Sequence, residues 1–480
     1  MFVFAQRASS VVLCLCGVFF WADRITAQEA IQRLPGDVNA LLVIDVAAAY
    51  QSPLAQQDQW AKKVATSFLA QEVFLPPSAK RVTVGAQLDL NDFLSCTRQH
   101  VILEVKAGND LAGVAALTGG EVEAVGDRRG LAINGGRYIV EAAPHVWMMA
   151  QPGGRQASLR WARSVASQES QLSPFLTAAA QMVTAQRPIV LALDLTEAVP
   201  LAAAKAVLED LPGKPLKGAS LDAAATVLAG AQGIVVKIHL GTKRTAQVRV
   251  AFARSALPLA AVGMPLAEAV LQQWGASLED SKAWTAQVDG HDIVFDGELS
   301  ATGMKRLISI VQPSVIPLTE GKGTANDGTA IVAASQKYLR SVRHELDSLE
   351  ATLKRTRDNH ALWFERSGKA IDGLPLKNVD PDLQVYGARV SSSLRYQAQA
   401  ERMSNVRMGT RLAESKANTF YSGVGPYGEV YANYSPGNAP AINAEQIEAS
   451  RSVRFSEWKH IEDGMTEIRR KLTQKYNEEF

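Results

Sequence analysis

The densest run of groups able to hold a metal or move protons is Asp289-Gly290-His291-Asp292, with Asp296 and Glu298 following closely. An imidazole flanked by carboxylates can ligate a divalent cation or share a proton, so His291, Asp292 and Asp296 are the candidate metal or acid–base residues. The same residues satisfy a second pattern. Asp-Gly between two alternating apolar runs is a hairpin signature, because glycine accepts the positive φ the turn requires. Alternation then puts Asp292, Val294 and Asp296 on one strand face and Ile293 and Phe295 on the other, and a solvated acidic face is the favoured reading.

Other chemical patterns fail on context. Cys96 has only His100 nearby as a base, and a single thiol in Phe93-Leu94-Ser95-Cys96-Thr97 reads as a small half-buried hydrophobe. His344-Glu345 opens like a zinc-protease helix, but Ser348 stands where the second histidine must be. Gly423, Gly425 and Gly428 have dinucleotide-binding spacing without the strand before or the helix after that would meet a pyrophosphate. Asp380-Pro381-Asp382 lacks the further alternating oxygens of a calcium loop and reads as an ordered turn before a helix near Leu383. His360 falls on a heptad seam, a packing position. No phosphate-binding loop and no Gly-x-Ser-x-Gly elbow is present. No cofactor is expected, and the balance leans away from an enzyme.

A different kind of chemistry is offered by residues 419–438, where Tyr421, Tyr427, Tyr431 and Tyr434 alternate with glycines. Tyrosines in such a loop can stack on sugars or grip a protein surface, so these four are candidate partner-binding residues. The composition predicts an irregular connection, neither helix nor strand, whose aromatics rest on neighbouring helices.

The elements that must carry these residues follow from pattern and composition. With 50 Lys plus Arg against 48 Asp plus Glu, the net charge is +2, which argues against a general nucleic-acid binder. Hydrophobic residues make up 47% of the chain, enough for a sizeable core. Arg7, the apolar run Ala8 to Trp21 and Ile25-Thr26-Ala27 form a secretory signal ending at residue 27, so an extracytoplasmic (periplasmic or secreted) location is expected. Its removal leaves Cys96 as the only cysteine and no internal disulfide. No further stretch is long and apolar enough to span a membrane.

Val38 to Val46 and Pro188 to Leu195 are apolar runs ending near an acidic residue, each leading into an Ala-rich helix. Gly136 to Val140 and Gly290 to Val294 are strand starts after glycine, each followed by a helical segment. Paired strands are expected at Arg81 to Leu88 with His100 to Val105, and at Gly233 to Leu240 with Thr245 to Ala253. The economical fold is α+β: a duplicated lobe, residues 31–170 and 171–315, with largely antiparallel sheets backed by helices and a groove between the lobes. A linker at 316–336 leads to a helical region at 337–480. There Leu339, Val342, Leu346, Leu349, Leu353, Thr356, His360 and Trp363 form one seam, and Trp458, Ile461, Met465, Ile468 and Leu472 form another. Asn443 with Gln446 reads as a capping box. Pairing of the two seams within the chain is favoured over self-association through the C-terminal helices.

Ala370-Ile371-Asp372-Gly373-Leu374-Pro375-Leu376-Lys377-Asn378-Val379-Asp380-Pro381-Asp382-Leu383, with Tyr386-Gly387 and the earlier Leu34-Pro35-Gly36-Asp37-Val38, resembles segments of uncharacterised exported proteins of planctomycete-type bacteria. The resemblance implies export from a bacterial cell and carries no catalytic residue. The expected function is that of an exported soluble binding or scaffolding protein whose partner is an envelope protein or a polysaccharide. The alternative is an extracytoplasmic hydrolase whose site assembles only in three dimensions, signalled by a histidine beside Asp292 or Asp296.

Overall fold

The computed structural model describes residues 30–480 apart from 70–74, 91–93, 119, 126–127, 134–136, 152–153, 165–171, 312–327, 354–358, 375, 377, 418–419, 425–429 and 435–438. The export signal, Thr356 and Tyr427 therefore lie outside the described residues.

The first half of the chain runs β1 (Ala40–Asp45), α1 (Val46–Gln51), α2 (Pro53–Gln57), α3 (Trp60–Leu69), β2 (Ala79–Asp89), β3 (Ser95–Val105) and α4 (Leu111–Thr118). It continues through β4 (Val122–Val125), β5 (Arg128–Ile133), β6 (Arg137–Ala143), β7 (Val146–Gln151) and α5 (Gly154–Ser164). The second half repeats the plan: α6 (Pro174–Ala180), β8 (Ile189–Asp194), α7 (Leu201–Glu209), α8 (Ala219–Ala229), β9 (Ala231–Leu240), β10 (Arg244–Phe252), α9 (Gly263–Gln273), β11 (Thr285–Asp289), β12 (Asp292–Glu298) and α10 (Ala301–Ser309).

All twelve strands join one antiparallel sheet in the order β11-β12-β10-β9-β8-β1-β2-β3-β7-β6-β5-β4. The order is symmetric about the β1–β8 seam: β2 matches β9, β3 matches β10, β7 matches β12 and β6 matches β11. The fold is α+β with a duplicated unit. At the seam Ala40 lies opposite Leu193, Leu42 opposite Leu191 and Ile44 opposite Ile189, so backbone hydrogen bonding joins the halves where a groove between lobes was expected. The symmetry also corrects one correspondence. The strand after Gly290 is the counterpart of β7, not of the strand after Gly136, because it pairs with β10 as β7 pairs with β3.

The central strands read as continuous apolar runs because both faces are covered. Leu42, Leu191 and Ile238 pack on one face with α1, α7 and α8, whereas Leu41, Val43, Val190 and Val235 pack on the other with α5 and α6. The acidic residues ending β1 and β8 are turn-formers: Asp45 Oδ1 accepts from Ala48 N at 2.9 Å to cap α1, and Asp194 Oδ1 accepts from Thr196 N at 2.9 Å. The halves differ in their last helix. Leu159, Trp161 and Ala162 of α5 cover the second face, but Leu307 of α10 belongs to the first, where the C-terminal helices dock.

Those helices are α11 (Gly328–Leu353), α12 (Ala361–Asp372), α13 (Pro381–Ala417) and α14 (Ala439–Tyr476). Between α13 and α14, β13 (Phe420–Val424) pairs antiparallel with β14 (Val430–Tyr434). Helix α11 begins inside the expected linker. The first seam does not run unbroken to Trp363: α11 is assigned to Leu353, and buried His360 is the residue before α12. Asn443 and Gln446 lie inside α14, with Pro440 in its first turn, so they are not its cap. Leu339, Val342, Leu346 and Leu349 are buried, as are Ile461, Ile468 and Leu472. The long antiparallel partner of α14 is α13, with Tyr386 Oη donating to Ile461 O at 3.1 Å. Gly387 lets α11 approach, since a Cβ there would lie 2.0 Å from Tyr338 Oη.

Candidate functional site

The acidic cluster falls on the β11–β12 hairpin, whose ends pair Asp289 with Asp292 across the two turn residues Gly290 and His291. Gly290 has φ +63°, as the first turn position of a II′ hairpin requires. The acidic face is occupied from the neighbouring strand. Arg249 of β10 binds Asp292 and reaches Asp289 at 3.2 Å, and Gln247 Nε2 donates to Asp296 Oδ1 at 3.0 Å. Buried Lys237 lies one strand further in, opposite Gln247. Burial, with Arg187 and Arg249 nearby, pulls the Lys237 ammonium pKa down, and Asp296 and Asp292 oppose that. His291 is exposed. Among the described residues no three His, Cys, Asp or Glu side chains converge to hold a metal ion; Asp292 and Asp296 are partnered by Arg249 and Gln247 on the strand face, and His291 stands in the turn.

Nor does a shifted histidine meet those aspartates. His100 packs edge-on against Trp161 at 4.7 Å in the other half, where burial lowers its pKa to about 4. Cys96 is buried beside Arg98 O and Val311 O, and burial raises its thiol to about 11. Both residues lie on β3, but Gln87 pairs with Arg98 while Leu88 pairs with Cys96, so Thr97 bulges out. The bulge turns Cys96 to the first sheet face while His100 stays on the second, separating thiol from base.

The most concentrated buried polar centre escaped the sequence reading, because its members come from five separate segments. It joins the sheet to the helices. His360 is fully buried, with Nε2 3.8 Å from Glu279 Oε1, and its backbone N donates to Glu401 Oε2 at 2.9 Å. Arg306 of α10 pairs with Glu279 and stacks on Trp363, 5.6 Å from its ring centre. Glu401 of α13 pairs with Arg454 of α14 at 2.8 Å. Burial, then Arg306, Arg454 and Lys282, depress His360 to about 3, while burial raises Glu401. The centre holds neutral imidazole among fixed charges, enclosed between elements.

Around it the helical region is bolted to the sheet. Trp363 Nε1 donates to Ser277 O at 2.7 Å, Leu362 N to Gly275 O at 3.0 Å, and Asn359 N to Gln272 Oε1 at 2.8 Å. Arg366 of α12 donates to the carbonyls of Ser309, Ile310 and Leu94. Asp380 locks the far end: it caps α13 by accepting from Asp382 N at 2.8 Å and also accepts from Lys475 and Tyr476 of α14, each at 2.6 Å. Hydrogen bonds and Lys475 hold its carboxyl below the usual range against the opposing effect of burial. Asp380-Pro381-Asp382 is thus a helix start, with Pro at the first helical position.

Of the candidate partner-binding residues, Tyr421 lies on β13 opposite Asn433, while Tyr431 and Tyr434 lie on β14 opposite Gly423 and Phe420. The expected irregular loop is instead a two-stranded hairpin. Its strands are Phe-Tyr-Ser-Gly-Val and Val-Tyr-Ala-Asn-Tyr, rich in aromatic and β-branched residues. This hairpin joins the ends of α13 and α14, which continue from Glu401 to Ala417 and from Ala439 to Arg454 past the outermost ion pair between them among the described residues. At 1.5 Å per residue that arm is roughly 24 Å long before the strands begin.

No family model matches the sequence, and no curated protein matches it. Solved structures of TP0453 share a slight likeness. Crystal form I has 9% sequence identity and a TM-score of 0.35, covering 61% of this chain and 100% of that one. Form III has 8% identity and a TM-score of 0.31, covering 57% and 96%.

Proposed function

We propose that this chain is an exported, extracytoplasmic binding or scaffolding protein, and that its working part is the α13–α14 arm with its β13–β14 tip. The observation that carries this reading is the arm itself, two antiparallel helices that continue past the Glu401–Arg454 pair and are joined by a tyrosine-bearing hairpin. Its two helices are tied together below the tip by Glu401 with Arg454 and by Asp380 with Lys475 and Tyr476. The partner is an envelope protein or polysaccharide, met by Tyr421, Tyr431 and Tyr434, whose rings supply apolar area with a polar end. Export rests on the signal at residues 1–27. Among the described residues no helix is long and apolar enough to cross a membrane.

The reading is tested by replacing residues 420–434 with a Gly-Ser segment and comparing partner capture from the native envelope fraction. The expected result is a partner retained by the wild type and lost by a variant with unchanged melting temperature. Equal capture by both proteins would overturn it.

A further inference from the structure

At the end of the bundle opposite the arm, α11 and α14 enclose a cleft of about 270 Å³. It adjoins a second concavity of about 450 Å³ that shares Arg469, Glu479 and Phe480. Leu339 is buried at the bottom, with Met465 and Phe480 half-buried beside it and Arg340 and Arg343 exposed at the rim. An apolar floor under guanidinium groups is the composition of a site for an anion carried on an apolar body.

The wall is built rather than incidental. Arg469 Nε donates to Phe480 O at 2.6 Å, and Gln336 Nε2 donates to Glu479 O at 2.8 Å. The Phe480 ring rests 5.9 Å from that of Tyr476, whose hydroxyl is held by Asp380 at 2.6 Å. Arg469 is therefore committed to the wall, but the rim is not. Arg343 has only an exposed pairing with Asp347 at 4.0 Å, which water screens, and Arg340 has no carboxylate partner among the described residues. Glu479 is the single side-chain carboxylate of the lining, and the Phe480 main-chain oxygen is already taken by Arg469. Two guanidiniums facing one carboxylate leave an excess positive charge at the mouth.

We propose that this cleft binds a small organic oxyanion, a carboxylate or phosphate joined to an apolar body, with Arg340 and Arg343 on the charged group and Met465 and Phe480 on the body. The volume limits the ligand to the small end of the range of ordinary ligand pockets. The site is independent of the partner-binding arm and stands or falls separately.

Calorimetric titration of the purified protein with phenyl phosphate, benzoate, inorganic phosphate and benzyl alcohol tests it. Phenyl phosphate or benzoate should bind saturably, at least about tenfold more tightly than inorganic phosphate or benzyl alcohol, and more weakly as salt rises. The tighter of the first two identifies the oxyanion as phosphate or carboxylate. The double substitution Arg340→Ala and Arg343→Ala should abolish the binding and leave the circular dichroism unchanged. Met465→Glu, which places a repelling carboxylate on the floor, should abolish it too and serves if the double variant does not fold. Absence of saturable binding, equal affinity for inorganic phosphate, or binding that survives in the folded variants would overturn the proposal.

Discussion

Cys96 and His100 illustrate how one residue of backbone decides chemistry. Their spacing of four would put both on one face of a regular strand, and a cysteine beside a histidine is a nucleophile's arrangement. The bulge at Thr97 separates them, and no sequence pattern announces it. With its thiol buried and raised to about 11, Cys96 should resist maleimide at neutral pH and react only when the protein is denatured. Rapid stoichiometric labelling of the native protein would contradict this placement. His360 makes a second residue-scale prediction. Its folded pKa of about 3 lies below the unfolded value of 6.5, so the unfolded chain binds the extra proton between those limits. The stability His360 confers is whole above about pH 6.5 and falls as pH drops, with a limiting slope of about 1.4 kcal/mol per pH unit. Glu401, raised by burial, acts in the opposite sense but is common to both proteins in a comparison with His360→Gln. Denaturant melts from pH 7 to pH 4 should show wild type losing more stability than the variant, and parallel losses would refute the assignment.

Elements were legible where periodicity was strong and illegible where their ends were set by tertiary partners. The strand pair around Gly290, the apolar β1 and β8 runs and the helical C-terminal region could all be read, because alternation and three–four spacing record which face is covered. The break before His360 could not, since the heptad spacing carries on past it and only the docking of Asn359 and His360 on Gln272, Glu279 and Glu401 marks it. The partner of the second seam was likewise hidden: α13 has a low-contrast sequence of Ala, Arg, Ser and Gln, yet it lies along α14. The 419–438 stretch was read from its glycines, which obscured the two flanking strands. At this scale Leu349, 2% exposed on α11, is the sensitive position. Leu349→Asp would bury a carboxylate in the seam and should lower stability by at least about 3 kcal/mol in chemical denaturation. A loss below about 1 kcal/mol would mean that the α11 stripe is not packed as described.

The whole molecule is a continuous sheet built by duplication, with a helical body bolted to one face and a hairpin joining its two longest helices. Two halves were foreseeable from repeated element order. Their fusion across the β1–β8 ladder was not, because identical apolar runs serve equally as the centre of one sheet or of two. The acidic candidates Asp292 and Asp296 are likewise partnered from a distance: Arg249 lies 43 residues before Asp292, and Gln247 lies 49 residues before Asp296. The bolts also change what the Gly- and Thr-rich sequence at 319–328 implies. Limited proteolysis should cut there first, yet the two fragments should stay together on gel filtration, held by Arg366 on Leu94 and Ile310, by Trp363 on Ser277 and Arg306, and by His360 beside Glu279. Separate elution of the fragments would show that the helical body is independent of the sheet. The central claim is that the arm tip meets a partner, and photo-crosslinking tests it most directly. A photoreactive side chain placed at Tyr431 should yield a discrete adduct in the native envelope, whereas one at Leu257, a 70% exposed site on the sheet body, should yield none. No adduct from position 431, or the same adduct from position 257, would contradict the account.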